Sequence, residues 1–313
     1  MSSARIIFMG TPSFALPALD MLYSKNYHIA GVITQPDRPK GRGRKIIAPP
    51  VKILSEKLGL PVFQPDNIKS DSSVSFIKKI NPDIIVVAAF GQILPKEILS
   101  VPPLGCINIH PSLLPKYRGA APINWALIKG ETKTGVTIMM MDEGMDSGDI
   151  LSQEETLINH DEYFIQLHDR LAGQGAALLV KTIKQIVSGK AHRRAQNPDE
   201  ATYAPRLTKE GGLINWHDSV SSIYNLIRGL CPSPCAYTFL NGQRFKIYTA
   251  IPHQTQTTDP PGKVAITSLQ GIIAFASDGY ITLQEIQLAG KKKMTAQEFL
   301  RGYKLKADTL LGQ

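Results

Sequence analysis

The fold is most constrained by a run of six apolar residues, Ile84 to Ala89, that no polar residue interrupts. A strand with one face in water alternates apolar and polar side chains, whereas a strand in a parallel sheet is covered by helices on both faces. The run therefore predicts a central strand of an α/β sheet. Two shorter apolar runs, Ile6 to Met9 and Ile29 to Ile33, predict further strands near the start of the chain.

Segments with helical spacing separate these strands, at Phe14 to Tyr23, Val51 to Leu58 and Val74 to Ile80. Strands that alternate with helices predict a doubly wound, mostly parallel α/β domain, which binds its ligands at the carboxyl ends of the strands. A dinucleotide cofactor is not expected, because no G-x-G-x-x-G follows the first strand and G-x-x-x-x-G-K-[ST] occurs nowhere.

Composition narrows the class of protein further. The chain has 313 residues, enough for two domains, and its net charge of +9 favours polyanionic partners. No apolar run approaches the ~18 residues of a membrane span, and the start lacks a signal-peptide pattern, so we expect a soluble, cytoplasmic protein. Cys231 and Cys235 lack a second cysteine pair, which argues against a zinc site, and no metal is expected.

The stretch Gly105 to Pro122 has the residues of a catalytic site. Side chains two apart on a strand share a face, so Asn108 and His110 project together, and Pro111 ends the strand. An amide can donate where negative charge develops on a carbonyl, and an imidazole can supply a proton. A strand whose polar residues only bond the neighbouring backbone has the same spacing, so both interpretations stay open from spacing alone.

The segment INIHPSLLPKYRGAAPINWA, residues 107–126, resembles the signature of the folate-dependent formyltransferases. That family transfers a formyl group from 10-formyltetrahydrofolate to an amine, without a metal, on a formyltransferase-type Rossmann-like sheet. The resemblance implies that Asn108 and protonated His110 donate to the oxyanion. It assigns the third catalytic role to Asp146, which orients His110 and helps to remove the amine proton, directly or through water. Only Asp146 occupies the family's G-x-D-x-G position, near the rival carboxylates Asp142, Glu143 and Asp149.

The same resemblance implies where the folate lies. The segments concerned follow predicted strands, at the edge of the sheet where α/β folds bind ligands. They are the turn after the central strand, the loop after the Asn–His strand and a glycine before Asp146. The expected folate contacts are Phe90, Gly91, Gln92, Ile93, Leu94, Ser112, Leu113, Leu114, Pro115 and Gly144.

A long connection, QPDRPKGRGRKIIAPP at residues 35–50, concentrates positive charge, since five of the eight residues from Arg38 to Lys45 are basic. Such side chains suit phosphates, although a flexible solvated loop has the same composition. By resemblance, an insertion of this kind approaches the acceptor stem of a tRNA. The expected tRNA contacts are Arg38, Lys40, Arg42, Arg44, Lys45, Lys291, Lys292 and Lys293.

The chain changes character after residue 189. Residues 190–206 have a linker composition, and from residue 207 short strand-like runs follow, with Asn241-Gly242 as a hairpin signal. We expect an OB-like β-barrel domain at 207–313, after a folate-binding formyltransferase catalytic domain at 1–189 and a linker at 190–206.

The C-terminal segments at 201–216, 236–248 and 283–302 resemble the members of the family that act on initiator methionyl-tRNA. This resemblance implies transfer of the formyl group to the methionine α-amine by a monomer. Two alternatives stay open: a formyltransferase for a nucleotide sugar or glycinamide ribonucleotide, and a non-catalytic OB-fold RNA-binding protein. The basic connection and the expected barrel argue against a small substrate. The Asn–His–Asp set argues against a binding protein.

Overall fold

The computed structural model describes residues 4–40, 43, 45–267, 271–306 and 309–312, without the side chain of Lys40. These residues fall into two compact units. The first unit is drawn from Met1–Gly119, Lys133–Leu157 and His168–Tyr203, and the second from Ala120–Thr132, Ile158–Leu167 and Ala204–Gln313. The units are thus discontinuous in sequence, whereas the expected division at 189 and 207 was continuous. The functional boundaries 1–189, 190–206 and 207–313 stay a prediction.

The first unit is built on a seven-stranded sheet. Five of its strands are parallel, and the two at one edge run antiparallel to their neighbours, so the predicted mostly parallel α/β sheet is confirmed. In spatial order the strands are β5 (Val62–Phe63), β2 (His28–Ile33), β1 (Arg5–Gly10), β6 (Ile84–Ala88), β7 (Cys106–His110), β9 (Lys133–Met140) and β10 (Ile150–Leu157).

The apolar run that defined the fold is the central strand β6. All its residues are buried, and Ile84 and Val86 pair in parallel register with Ile6 and Phe8 of β1. A strand covered on both faces gains nothing from alternation, which is why it reads as an unbroken apolar run. The edge strand β10 escaped prediction because its side chains are mostly polar and only half-buried.

Three helices, at Leu16–Ser24, Pro50–Lys57 and Asp71–Ile80, lie on the segments whose spacing predicted them. The longest helix is Phe164–Val187. The helix Asp71–Ile80 is capped at its start by Ser70, whose hydroxyl accepts a hydrogen bond from Ser73 N, and at its end by Asn81 in the left-handed conformation. The helices are α1 (Leu16–Ser24), α2 (Pro50–Lys57), α3 (Asp71–Ile80), α4 (Lys96–Leu99), α5 (Pro122–Ile128), α6 (Phe164–Val187), α7 (Val220–Leu230) and α8 (Ala296–Gly302).

The basic connection contains a hairpin of β3 (Arg38–Lys40) and β4 (Lys45–Ile47). Arg38 lies opposite Ile47, and the backbone of Lys40 lies opposite that of Lys45. The ends of this connection are therefore paired strands and not the open loop that composition also allowed. Two further short strands are β8 (Arg118–Gly119) and β11 (Tyr203–Ala204).

The second unit contains an antiparallel sheet. The Asn241-Gly242 turn joins its first two strands with positive φ at both residues, which confirms the predicted hairpin. In spatial order the strands are β12 (Ala236–Leu240), β13 (Gln243–Gln254), β16 (Gly279–Leu288), β15 (Gly271–Ala276) and β14 (Val264–Thr267), with β17 (Met294–Thr295) also beside β16.

The described strands of this sheet do not close into a barrel, because the edge strands β12 and β14 do not pair with each other. The OB-like barrel is therefore not confirmed, and the C-terminal part is a separate sheet unit. Near the end of the chain, Leu311 forms a bridge with Leu240, and Leu310 forms one with Lys263.

A buried arginine explains why residues 158–167 belong to the second unit. The Nη1 group of Arg228, on α7, donates to the carbonyls of Asn159, His160 and Glu162 at 3.3, 3.4 and 3.3 Å. Burial lowers the pKa of Arg228, and the surrounding oxygens offset part of the cost of burying its charge. The Tyr163 hydroxyl also accepts from Ala250 N at 3.1 Å.

None of the described helices combines the length and the apolar character that a membrane crossing requires.

Candidate active site

Strand β7 carries Asn108 and His110 on the same face, as its period of two requires. The strand lies between β6 and β9, and its apolar residues Ile107 and Ile109 are buried. His110 is only 3% exposed although it is polar, while Asn108 is half-buried. A buried imidazole needs polar partners on both nitrogens, and these partners define the site.

Asp146 lies in the turn between β9 and β10 and meets both residues. Its Oδ1 accepts from Asn108 Nδ2 at 3.5 Å, and its Oδ2 lies 3.6 Å from His110 Nδ1. Oδ2 also accepts from the backbone N of Gly119 at 2.8 Å. The structure thus brings together Asn108, His110 and Asp146, the three residues expected to be catalytic.

The partner of the other imidazole nitrogen, Nε2, determines which nitrogen of His110 carries a hydrogen. Nε2 lies 2.9 Å from the carbonyl oxygen of Tyr117, and a carbonyl can only accept, so Nε2 carries hydrogen. Nδ1 then faces the Asp146 carboxylate. A proton on Nδ1 pairs the two groups, whereas without it two acceptors would face each other. At 3.6 Å the two groups lie at the distance of an ion pair, which is longer than a hydrogen bond.

The rival carboxylates serve the local structure of the turn. Asp142 Oδ1 accepts from Gly144 N at 3.0 Å and from the Ser147 hydroxyl at 2.9 Å. Glu143 is exposed and lies 3.3 Å from Lys96 Nζ. The backbone carbonyl of Asp149 accepts from Met140 N at 2.8 Å, which closes the turn. Asp146 is the carboxylate of this turn that meets both Asn108 and His110.

In the turn after β6, where folate contacts were expected, mainly backbone groups remain available to a ligand. The side chains of Phe90 and Leu94 belong to the core, while Ile93 is 67% exposed. The carbonyl of Phe90 accepts from Thr11 Oγ1 at 2.9 Å, and Gln92 Oε1 accepts from the backbone N of Ile68 at 2.8 Å. Any contact with a ligand would therefore come from Gly91, Ile93 or backbone groups.

The loop Ser112 to Pro115 is anchored on the antiparallel edge of the sheet. Thr137 Oγ1, on β9, donates to Ser112 O at 2.7 Å and accepts from Leu114 N at 3.2 Å. Gln153, on β10, donates to Leu114 O at 2.8 Å. Ser112 and Leu114 are buried, and Leu113 and Pro115 are half-buried. The loop thus has a fixed conformation beside the catalytic residues.

Two residues at the site were missed by sequence reasoning, Arg118 and Gln196. Gln196 Oε1 accepts from Arg118 Nε at 3.0 Å and from Nη2 at 2.8 Å. Its Nε2 donates to the carbonyls of Asp146 and Gly148, each at 2.8 Å. Gln196 lies in the segment expected to be a linker, and a single glutamine there gives no sequence signal of this role.

The expected tRNA contacts divide into three groups. Arg38, Lys45, Lys291 and Lys292 are exposed. Lys293 is also exposed, but its Nζ pairs with Glu285 at 3.0 Å, so its charge is partly offset. Arg42 and Arg44 lie outside the described residues, and only the backbone of Lys40 is described.

No metal site is found in the part of the chain that the structure describes, where no group of three or more His, Cys, Asp or Glu side chains could hold an ion. The cysteines Cys106, Cys231 and Cys235 are free. Burial raises the pKa of Cys106 and of Cys235 to about 12. These thiols are therefore protonated at neutral pH and unsuited to nucleophilic chemistry.

Structural similarity places the chain among known folds. It superposes on HypX from Aquifex aeolicus, in complex with tetrahydrofolic acid, with a TM-score of 0.66 and 18% identity over 99% of this chain and 51% of that chain. It superposes on the N-formyltransferase from Helicobacter canadensis, in complex with folinic acid and dTDP-3-aminofucose, with a TM-score of 0.66 and 20% identity over 92% and 99%. At these identities the similarity establishes the fold alone.

Sequence similarity is more specific. The Formyl transferase family profile matches residues 4–183, and the profile of its C-terminal domain matches residues 206–304. The methionyl-tRNA formyltransferase of Syntrophus aciditrophicus is 54% identical over 100% of both chains, and that of Geotalea uraniireducens is 48% identical over 100% of this chain and 99% of its own. Since these matches extend from one end of the sequence to the other, the chain belongs to the methionyl-tRNA formyltransferase family.

Proposed function

We propose that this protein transfers the formyl group of 10-formyltetrahydrofolate to the α-amino group of initiator methionyl-tRNA, which gives N-formylmethionyl-tRNA for translation initiation. The observation that carries the proposal is the cluster of Asn108, His110 and Asp146 at the carboxyl end of β7. It occurs in a chain that aligns end to end with methionyl-tRNA formyltransferases. Two proteins of the same fold were solved with folate compounds, which fits a folate co-substrate.

Asn108 and His110 stabilise the charge that develops on the formyl oxygen when the amine attacks. One Nδ2 hydrogen of Asn108 is directed at Asp146, and the other remains for the substrate. His110 uses Nε2 for Tyr117, so its proton at Nδ1 is the one that lies within the cluster. The loss of one such donor typically costs about 2.7–4 kcal/mol of barrier.

Asp146 has two roles in this reaction. It orients His110, because its Oδ2 faces the imidazole Nδ1 across 3.6 Å. It also accepts the proton that the attacking amine loses, directly or through a water molecule, and this proton passes to the folate nitrogen as its bond to the formyl carbon breaks. Apart from Asn108 and His110, its carboxylate is held by the backbone N of Gly119, which leaves it little freedom to turn away.

The folate lies along the turn after β6, the Ser112–Pro115 loop and Gly144 in the Asp146 turn. The first two segments follow the parallel strands β6 and β7, and parallel sheets bind ligands at the carboxyl ends of their strands. The Asp146 turn follows the antiparallel strand β9 and reaches the same site through the contacts of Asp146 with Asn108 and His110. Exposed Ile93 supplies an apolar surface for a planar ring. The anchored backbone of the Ser112–Pro115 loop supplies fixed polar groups.

The basic hairpin and the C-terminal unit bind the tRNA. Arg38 and Lys45 on the hairpin and Lys291 and Lys292 in the C-terminal unit are exposed positive charges. The C-terminal sheet acts as an OB-like barrel. The bridges of Leu311 to Leu240, in the edge strand β12, and of Leu310 to Lys263, the residue before the edge strand β14, support this. The catalytic domain comprises residues 1–189, the linker 190–206 and the tRNA-binding domain 207–313. The protein works in the cytoplasm as a monomer.

The tRNA assignment is tested by the salt dependence of binding. Each phosphate contact removed reduces the log–log salt slope by ~0.7–0.9. Arg38→Ala and Lys45→Ala should therefore each lower the slope for methionyl-tRNA and leave the KM for 10-formyltetrahydrofolate unchanged. Lys293→Ala is the matched control, because Lys293 already pairs with Glu285. Equal slopes in all three variants and the unchanged protein would contradict the assignment.

The reaction itself is tested by formyl incorporation. Purified protein with 10-formyltetrahydrofolate should place a formyl group on aminoacylated initiator tRNA, measured by retention on filters. Parallel reactions contain a dTDP-linked amino sugar or glycinamide ribonucleotide in place of the tRNA. Turnover of a small amine with none on tRNA would overturn the proposed substrate, and binding of RNA without any turnover would overturn the proposed catalysis.

A further inference from the structure

Asp146 has a backbone conformation that its side chain does not favour. Its φ is +50°, in the left-handed region where a residue with a Cβ is strained. Such strain persists only where the surrounding structure over-determines the conformation. What holds the Asp146 backbone is therefore part of how the site is built.

The side chain of Gln196 supplies that hold. Its Nε2 group has two hydrogens, and they go to the carbonyls of Asp146 and Gly148 at 2.8 Å each. The two hydrogen bonds bracket Ser147 and fix the backbone on both sides of it. A change at residue 196 therefore acts on the peptide of Asp146 without touching the carboxylate.

Arg118 fixes which way the Gln196 amide points. Arginine has only donors, so it requires the oxygen of the amide, and Oε1 accepts from Arg118 Nε and Nη2 at 3.0 and 2.8 Å. With Oε1 engaged there, Nε2 must face the two carbonyls. A rotated amide would place hydrogens against the guanidinium and an oxygen against the carbonyls. Arg118 is 7% exposed, so water cannot readily replace either partner.

The neighbours of Arg118 connect this pair to the catalytic residues by a second route. The carbonyl of Tyr117 accepts from His110 Nε2, and the backbone N of Gly119 donates to Asp146 Oδ2. The three consecutive residues 117, 118 and 119 thus form hydrogen bonds with His110, Gln196 and Asp146, respectively. These hydrogen bonds, joined through the backbone of residues 117–119, connect His110, Gln196 and Asp146.

We propose that Gln196, oriented by Arg118, is a positioning residue that holds the Asp146 carboxylate against His110 during formyl transfer. The inference rests on the proposed function of the Asn108–His110–Asp146 cluster and adds to it a residue from the segment expected to be a linker. Because Gln196 acts on the Asp146 backbone, its loss lowers kcat. The KM values for folate and tRNA change little, since neither substrate is bound by Gln196.

The first test is Gln196→Ala, with steady-state formylation measured at saturating substrates. A displacement of about 1 Å at a reacting group can cost about 100-fold, and we expect a kcat loss of this order. Asn197→Ala is the matched control, because the Asn197 side chain accepts from Asp199 N and donates to Glu200 within the same segment. A merely structural role of the segment would lower kcat equally in both variants, or would raise a KM instead.

A double-mutant cycle decides whether Gln196 acts through Asp146. In the Asp146→Asn background, where the carboxylate is already gone, Gln196→Ala should reduce the residual kcat by less than about 3-fold. An equal loss in both backgrounds would overturn the positioning role. If Asp146→Asn alone had no effect on kcat, the proposed function of the cluster would fail, which is a separate outcome.

Gln196→Glu keeps the proposal testable if Gln196→Ala does not fold. Glutamate retains an acceptor for Arg118 but turns an oxygen towards the carbonyls of Asp146 and Gly148. We expect a folded protein with a kcat loss as large as that of Gln196→Ala. Because the Arg118 guanidinium favours the charged form of a carboxyl beside it, the loss of kcat should persist throughout the pH range in which the unchanged protein is active. A Gln196→Glu enzyme with unchanged kcat and pH profile would overturn the proposal.

Discussion

The strand that carries Asn108 and His110 and the turn that carries Asp146 reach the same point by different means. Strand β7 is paired on both sides, and the positions of its side chains follow from its period of two. The Asp146 turn is largely exposed and strained at the catalytic residue. It is fixed from outside, by Gly119 and Gln196, which lie 27 and 50 residues away in sequence.

This difference teaches how each half of the site is encoded. The placement of His110 depends on local sequence and on burial of its strand, so small changes elsewhere leave it in position. The placement of Asp146 depends on a few hydrogen bonds from distant residues. Substitutions around the turn should therefore alter activity more than stability, and substitutions around the strand should do the reverse.

The largest effect is expected from Asp146→Asn. The amide keeps the shape of the side chain but cannot take up the proton that the attacking amine loses. We expect kcat to fall by about 10²–10⁴-fold, the usual share of acid–base catalysis, with an unchanged thermal midpoint. Single-turnover formylation measures it. Asp142→Asn is the control, because Asp142 bonds only within the turn. Near-normal turnover in Asp146→Asn would remove the carboxylate from the mechanism.

The second-largest loss of kcat is expected from Gly148→Ala, which displaces the Asp146 turn by steric overlap without removing any polar group. At Gly148 an added Cβ would lie 2.1 Å from the carbonyl oxygen of Met140, a backbone atom that cannot step aside. Gly148→Ala should therefore push the turn off β9 and displace Asp146, at a cost of about 100-fold in kcat. Gly59 is a poor control because of its positive φ, whereas Gly173 is not restricted in this way. A Gly148→Ala enzyme as active as Gly173→Ala would show that the turn tolerates displacement.

The sequence predicted the strand half of the site and missed the support of the turn. Asn108 and His110 stand out because two polar residues alternate with isoleucines on a short strand. Asp146 needed the family pattern, since three other carboxylates lie within four residues of it. Gln196 had no local signal, because its role arises from tertiary contacts with carbonyls that any residue could supply.

The fold shows the same division. Buried parallel strands such as β6 were evident from their apolar runs. Residues 158–167 could not be assigned to the second unit from sequence, because their partner is the carbonyl-binding Arg228 on a helix that was not predicted. Closure of the C-terminal sheet also depends on long-range pairing of its edges, which short strand signals do not specify.

A pair of glycines on one helix tests the strand side of the comparison. At Gly175 an added Cβ would lie 2.8 Å from Ile109 Cγ2 and 3.2 Å from Val136 Cγ1, whereas at Gly173 it would meet no described atom within 4 Å. Gly175→Ala should destabilise the protein by ~1–3 kcal/mol through overpacking. Gly173→Ala should stabilise it by ~0.5–1 kcal/mol, because alanine is the better helix former.

Urea unfolding of both variants measures these changes in the free energy of unfolding. The kcat of Gly175→Ala should remain within a few-fold of the unchanged protein, since β7 is held by pairing on both sides. A stable Gly175→Ala protein, or one that loses activity as severely as Gly148→Ala, would contradict the distinction between strand and turn.

The smallest effect is expected at Cys106 on β7, whose rate of alkylation should not change when the Asp146 turn is altered. Burial raises the pKa of this thiol to about 12, so at pH 8 only about one molecule in 10⁴ carries the reactive thiolate. Cys106 should resist alkylation in the folded protein, while Cys231, which is only half-buried, reacts first.

If the strand keeps its place when the turn moves, Cys106 should stay equally protected in Gly148→Ala and Gln196→Ala. Mass spectrometry of the alkylated peptides gives the rate at each cysteine, with buried Cys235 as an internal reference for global unfolding. The distinction between strand and turn would be wrong if Cys106 is alkylated faster in these variants while Cys235 stays protected. Strand β7 would then move together with the Asp146 turn.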